Sequence, residues 1–459
     1  MDVERSGGDP ERRHSARSPP LPPEHTPDLL EGARRPPKSA VRIAYIGSAP
    51  EPGSGGVPGA AWLIVEGLAK MGHEIDLYLD FEPQHIAIEL QRLPGGRVVA
   101  QSPSWQRDRW YSRNQLSSFA TLLAARARAR RRLGSAMMEA NRRQAYDVVY
   151  QFSTIEVFGY RSALQELPPL VVHPQVHIAG ELRAWREERP LVATCEPVHR
   201  RILVPALLGA RARRQSRDIR LANRVIGIST TFAELMSSDY GVDPARIRVV
   251  PNPVALQTFR PRPRHPQPGE PLRILFIGRI STRKGIEKLV RLSHDLDDQR
   301  TKVELRLAGG PTLWSDYRPL LSALNPRIAT YIGPLNPDEV RAEMDSADLF
   351  IQPSTYEPFG LVAAEAMASG VPVVSSDQVG ATEQVSADCC WRYCCAEPLA
   401  LQAAVRSAMA ALRGPRAAGL GASARAEAER LFAPDTVAAG VAEVLAEAAG
   451  VGGNRQARS

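Results

Sequence analysis

Residues 354–374 read STYEPFGLVAAEAMASGVPVV. The segment after Gly360 is apolar and built of small residues, the composition of a buried helix, and VPVV then reads as a short interior strand. Two carboxylates interrupt this pattern. Glu357 and Glu365 stand eight positions apart with no basic residue between them. A capped helix with one solvated glutamate explains Glu357 but not Glu365, because an unpartnered carboxylate inside LVAAEAMA is costly. The pattern therefore asks for something that both carboxylates hold.

Working outward, DLFIQPS (348–354) precedes this helix and VPVVSS (371–376) follows it, a strand–helix–strand unit of parallel sheet. The same grammar runs through LRILFIG (272–278), KGIEKLVRLSHDL, VELRLAGG (303–310), IATYIG (328–333) and PDEVRAEMDSA. It also runs earlier, through VRIAYIG (41–47), a glycine-rich loop, AAWLIVEGLAKMG (60–72), EIDLYLD, YDVVYQFS (146–153), PLVVHPQVH (169–177), ANRVIGIS (222–229) and IRVVPNP (247–253). Between the two series lies RPRPRHPQPGEP (260–271), dense in proline and arginine, a linker.

The predicted fold class is α/β, with two doubly wound, Rossmann-like domains and the active site in the cleft between them. The expected organisation is a disordered leader (1–39), a first domain (40–253), a linker (254–271) and a second domain (272–433). A C-terminal helix (434–449) packing back on the first domain and a tail (450–459) complete it.

Composition agrees with two cores in 459 residues: 43% hydrophobic and 24% charged. The net charge of +8 rests almost entirely on arginine and reads as residue usage. No basic surface interleaved with aromatics appears, which argues against nucleic acid. Two arginine clusters, RARARRR (126–132) and GARARRQSRDIR (209–220), read as solvated helix faces, with a peripheral contact at the inner membrane face as the rival. No run of 18 apolar residues and no signal-peptide core is present, so the expected location is cytoplasmic. Four of five cysteines cluster in CCWRYCC (Cys389, Cys390, Cys394, Cys395) without zinc-type spacing or nearby histidines, and are expected to be ordinary thiols.

Doubly wound sheets bind ligands beyond the carboxyl ends of their strands. There, IGRISTRKG (277–285) places Arg279 and Lys284 where a guanidinium and an ammonium can clamp adjacent phosphates. On these residues alone, two solvated loop charges are an equal reading. A helix over 358–369 would separate Glu357 from Glu365 by roughly 12 Å along its axis. That approximates the span from sugar ring to ribose in a sugar nucleotide, with free helix amides between for a diphosphate. Gly360 would allow close backbone approach. Asp295-Leu-Asp297 imitates a metal-binding DxD but follows a helix, and is read as a solvated helix end.

Taken in order, VIGIS…VVPNPV, RILFIGRISTRKGIEKLV, LAGG, YIGPL and ADLFIQPSTYEPFGLVAAEAMASGVPVVSSDQVGATEQV resemble the family 4 glycosyltransferases, retaining enzymes of the two-domain GT-B fold. The resemblance covers roughly residues 41 to 445 and is strongest in the second half. It implies transfer of a sugar, hexosyl or related, from a nucleotide-diphosphate donor in the second domain to an acceptor hydroxyl bound by the first. It makes Arg279 and Lys284 the diphosphate clamp, Glu357 the partner of donor-sugar hydroxyls and Glu365 that of the ribose. The backbone of Phe359, Gly360 and Leu361 would lie along phosphates and sugar, and Gly333 to Leu335 near the nucleobase. Gly55 and Gly56 resemble the glycine loop approaching the phosphates from the first domain. His177 resembles the histidine beside the reacting carbon; His173 competes for that role, and His177 is preferred because it ends the apparent strand. No cofactor or metal is expected, the cations supplying the charge.

Pro253 stands where many members carry glycine, and SADCCWRYCC replaces a usual glycine-rich segment after Glu383, which leaves donor-sugar identity open. The alternatives are a sugar-nucleotide epimerase or phosphorylase on the same fold, and a catalytically inactive GT-B protein that binds a sugar nucleotide or a partner. A phosphorylase would need a pyridoxal-binding lysine, and none stands out.

Overall fold

The computed structural model describes residues 40–80, 88–101, 116–160, 165–187, 190, 195, 198–261, 269–297, 302–311 and 316–450. The leader 1–39, residues 262–268 of the linker and residues 451–459 of the tail lie outside the described residues. Two parallel sheets form the frame. The first contains β1 (Arg42–Gly47), β2 (Glu74–Leu79), β3 (Gly96–Gln101), β4 (Val148–Ser153), β5 (Leu170–Pro174), β6 (Arg224–Gly227) and β7 (Ile247–Val249), in the order β3-β2-β1-β4-β5-β6-β7. The second contains β8 (Leu272–Ile277), β9 (Val303–Ala308), β10 (Ala329–Gly333), β11 (Leu349–Gln352), β12 (Val373–Ser376) and β13 (Cys390–Tyr393), in the order β10-β9-β8-β11-β12-β13.

Each sheet is doubly wound, and its strand order reverses between β1 and β4 or between β8 and β11. Those reversals open the crevices where ligands bind. The strands are continuous apolar runs because helices cover both faces; in β4, for example, five of six residues are buried.

Two elements tie the units together. The helix Pro434–Ala449 leaves the second domain and packs on the helix Gly56–Lys70 of the first. Val437, Val441 and Leu445 join the core of Ile43, Ile64 and Leu68, each such side chain contributing about 1.5–3 kcal/mol by leaving water. Gly67 lets the helices touch, since a Cβ there would stand 2.4 Å from that of Ala438. A second cluster is continuous across the domains, running from Phe232 and Tyr240 through Val254 to Phe359 and Phe432.

Several expectations need correction. β5 ends at Pro174, so His177 does not end a strand but precedes the helix Ile178–Glu187. β3 was not anticipated. The cysteine segment contributes β13, an edge strand: Cys389 and Cys390 are buried, and burial pushes their thiols up to about 12 and about 11. The helix expected over 358–369 is Leu361–Ala368, which leaves Glu357 outside it, in a bridge with Val379. The 12 Å axial separation therefore does not apply. The arginine clusters are only partly solvated: Arg130 is buried, Arg211 pairs with the buried Glu156, and Arg214 pairs with Asp218.

Candidate active site

The loop after β8 forms one half of the site. Thr282–Lys284 makes a single 3₁₀ turn, ended by Gly285 at φ +78°. A Cβ at Gly285 would stand 2.2 Å from the carbonyl oxygen of Pro353, so only glycine lets this loop close on the segment after β11. The Thr355 N–H donates to the Arg283 carbonyl at 2.8 Å and fastens the two together. Lys284 and Glu357 then meet: Lys284 Nζ donates to Glu357 Oε2, Gln352 Nε2 lies 3.2 Å from the same oxygen, and Arg283 is 4.0 Å away.

Both partners are largely buried. Burial pulls the Lys284 ammonium down, with Glu357 opposing it. Burial would raise the Glu357 carboxyl, but Lys284 and Arg283 outweigh it and hold it below its ordinary value. Arg279 is exposed at the start of the same loop, close enough to act on the Lys284 charge.

The Leu361–Ala368 helix forms the other half. Gly360 takes φ +97° as its N-cap, and a Cβ there would lie 2.8 Å from Val379 Cγ1 and 3.2 Å from the Gln352 amide. Its glycine thus serves the turn and the packing of Gln352 as well as any ligand. No side chain caps the amino end of this helix, which leaves the amides of Leu361 and Val362 as a ready place for anionic charge. Phe359 is buried edge-on to Phe432 at 5.6 Å, and its carbonyl accepts from Ala381 N–H at 2.7 Å.

Glu365, on the second turn, is 7% exposed and faces the glycine loop of the first domain, its Oε1 3.9 Å from where a Gly55 Cβ would stand. Burial pushes its carboxyl up to about 7, the influence of the Gly56 amide offsetting only part of that. A cavity of ≈ 760 Å³ runs between the domains, its wall including Gly55, Gly56, Leu335, Leu361, Val362 and Glu365. Gly333 ends β10 at φ +83° with open space beside its Cα. Arg279, Lys284 and Glu357 are not in that wall; the Lys284–Glu357 pair and the cavity are joined through the Gly360 turn.

The histidines separate clearly. His173 lies within the first sheet on β5, its Nδ1 2.8 Å from Tyr150 Oη and its ring edge-on to Phe152; burial lowers it to about 3. His177 lies at the domain interface but is fully enclosed. Its Nδ1 accepts from Gly180 N–H at 3.2 Å and lies 3.0 Å from Tyr356 Oη; its Nε2 is 3.1 Å from Asp239 Oδ2. Burial lowers it to about 4, against the pull of Asp239. The expectation that its ring stands beside a reacting carbon is therefore not what this arrangement shows, since both ring nitrogens face protein groups.

Asp295 is exposed at the end of its helix and accepts from Gln402, and the half-buried Asp297 accepts from Asn325 and Arg327. Among the described residues no group of His, Cys, Asp and Glu gathers as a metal site. Sequence reasoning missed Gln352, Arg283, Tyr356 and the capping role of Glu383; apart from adjacency to Glu357, a single sequence carries no signal for them.

Comparison with known proteins decides the affiliation. The model of Glycosyltransferase Family 4 matches residues 54–258, and that of Glycosyl transferases group 1 matches residues 258–424. The chain belongs to glycosyltransferase family 4. This glycosyltransferase is 28% identical over 375 residues to a D-inositol 3-phosphate glycosyltransferase of Nocardia farcinica, covering 77% of each chain. It is 30% identical over 290 residues to a glycogen synthase of Mycobacterium tuberculosis, covering 60% of this chain and 66% of that one. Among solved structures, it resembles Anabaena Alr3699/HepE in complex with UDP and glucose, with a TM-score of 0.59 at 19% identity over 89% of this chain and all of the other. A sucrose-phosphate synthase from Thermosynechococcus elongatus gives a TM-score of 0.61 at 18% identity over 89% of this chain and 98% of that one. These likenesses establish the GT-B fold. No helix of the described residues is long and apolar enough to cross a membrane.

Proposed function

We propose that the chain transfers a sugar from a nucleoside-diphosphate sugar to an acceptor hydroxyl with retention of anomeric configuration. The observation that carries this reading is the buried Lys284–Glu357 pair, set between exposed Arg279 and the uncapped amino end of the Leu361–Ala368 helix. In the cavity wall, Glu365 offers a carboxylate to vicinal hydroxyls such as those of a ribose.

As the bond between the anomeric carbon and the diphosphate lengthens, negative charge grows on the leaving oxygen. Arg279, Lys284 and the helix amides stabilise that charge, and loss of one such donor costs about 2.7–4 kcal/mol of barrier. Glu357 binds sugar hydroxyls and balances positive charge at the ring. The acceptor attacks from the same face, its proton passing to a phosphate oxygen, so the site needs neither a protein base nor a metal. Gly333 to Leu335 and the cavity wall beside Leu361 receive the nucleobase.

On the acceptor side, an anionic membrane surface is a second reading. Val198 and Ile202 are 65% and 70% exposed on the helix Val198–Ile219, which also exposes Arg213 and Arg217. The main reading is tested by incubating the protein with UDP-, GDP- and ADP-glucose and following release of the nucleoside diphosphate and the anomer of the freed sugar. Release of one nucleotide with the α-sugar appearing first from an α-donor supports it. No release from any sugar nucleotide, with or without simple glycan and inositol phosphate acceptors, counts against it.

A further inference from the structure

Glu357 is carried on a segment held on both sides by the opposite domain. Before it, the ring of Tyr356 enters a notch of the first domain whose floor is Gly180; a Cβ there would lie 2.4–2.6 Å from Cζ, Cε2 and Oη of Tyr356. At the end of the notch, Tyr356 Oη lies 3.0 Å from His177 Nδ1 and 3.2 Å from the His177 carbonyl oxygen. The Gly180 N–H points at the same Nδ1, which makes that nitrogen an acceptor and puts the ring hydrogen on Nε2, facing Asp239. Tyr356 is thus the donor to His177. Tyr240 and Phe232 wall the imidazole at 4.9 and 6.0 Å between ring centroids.

On the other side of Glu357, the Pro358 carbonyl accepts from Ser229 Oγ at 2.8 Å. Nearby, the Glu383 carboxylate accepts from the Thr230 and Thr231 N–H groups at 2.8 and 3.0 Å, capping the helix Thr230–Tyr240 from the other domain.

We infer that Tyr356 is a positioning residue, an interdomain pin that seats in the Gly180 notch and sets Glu357 over the donor sugar when the domains close. His177 is its receptor, not a group that touches the sugar. The inference deepens the proposed function and rests on it for the identity of the donor. The geometry of the contact does not. Positioning of this kind acts on the chemical step: a displacement of about 1 Å can cost on the order of a hundredfold in rate while leaving nucleotide affinity in place.

The test compares wild type with Gly180→Ala, Tyr356→Leu and Tyr356→Phe, all in the full chain. Small-angle scattering is recorded with and without the nucleotide that binds, and kcat and KM for hydrolysis of its glucose conjugate are measured. The expected result is a larger radius of gyration and a kcat lowered about tenfold or more for Gly180→Ala and Tyr356→Leu, with KM changed less than about threefold. Tyr356→Phe, which keeps the ring in the notch, recovers part of kcat. Unchanged scattering and kcat in Gly180→Ala and Tyr356→Leu overturn the inference, as does a parallel loss of nucleotide affinity. If wild type turns over no sugar nucleotide, the proposed function fails instead. Scattering alone then decides the pin: expansion in Gly180→Ala supports it and an unchanged radius overturns it.

Discussion

A Cβ placed on Gly55 of the first domain would stand 3.9 Å from Glu365 Oε1 of the second. The carboxylate on the buried helix and the glycine loop that faces it therefore line the same cleft at close range. The pull of the Gly56 amide does not offset the cost of enclosing the charge, and the carboxyl titrates near 7 instead of 4.5.

The consequence is a pH-dependent stability with a definite sign. Between pH 4.5 and about 7 the folded protein holds a proton on Glu365 that the unfolded chain releases, so stability falls as pH rises through that window and is level above it. Glu365→Gln removes this component. Thermal melts from pH 5 to 8 are expected to show the variant gaining on wild type as pH rises, by roughly 2–3 kcal/mol at most. Parallel melting curves for the two proteins would contradict the assignment.

Lys284 and Glu357 are expected to be strongly coupled. Lys284→Met leaves a buried carboxylate whose nearest remaining cation, Arg283, is 4.0 Å away, and should cost about 3–5 kcal/mol in urea unfolding. Lys284→Met combined with Glu357→Gln should recover most of that, because a neutral pair is no longer stranded. A double variant as unstable as the sum of the two singles would show that the groups act independently.

Gly285 is the residue that lets those two side chains meet. Gly285→Ala forces a side chain into a left-handed conformation, at about 1–2 kcal/mol, and drives a methyl toward the Pro353 carbonyl 2.2 Å away. Loss of about 2 kcal/mol or more of stability together with weakened nucleotide binding is the expected outcome. Wild-type binding in Gly285→Ala would mean that the loop closes on β11 by another route.

The Glu383 cap gives a weaker, separable effect. Glu383→Gln keeps a hydrogen-bond acceptor for Thr230 and Thr231 but removes the charge at a helix amino end, and should cost about 0.5–1 kcal/mol. Glu383→Ala should cost up to about 2 kcal/mol. Denaturation curves in which Gln and Ala are indistinguishable from wild type would show the cap to be idle.

How far the sequence could be read follows from which interactions are local. Strands buried on both faces announce themselves as apolar runs, and β1, β8 and β11 were legible for that reason. β13 was not: its cysteines drew a chemical reading, whereas their burial on an edge strand depends on pairing with β12. The Leu361–Ala368 helix was legible in kind, but its start depended on the positive φ of Gly360, where Val379 and Gln352 leave no room for a side chain. Among site residues, the proximity of Lys284 and Glu357 lay in no local pattern, being set by Gly285 against Pro353. The enclosure of His177 could not be foreseen either, because Tyr356, its partner, lies 179 positions away in the opposite domain.

The central claim is that the cleft holds a nucleoside diphosphate between the Arg279–Lys284 loop and the Leu361–Ala368 helix. Calorimetric titration of UDP, GDP and ADP into wild type and Arg279→Ala tests it most directly, Arg279 being exposed and its loss least disturbing to folding. The account predicts that one nucleotide binds and that Arg279→Ala weakens it about tenfold or more, the worth of a charge-assisted contact to phosphate. A folded wild-type protein that binds none of the three, or binds one equally well without Arg279, would contradict it.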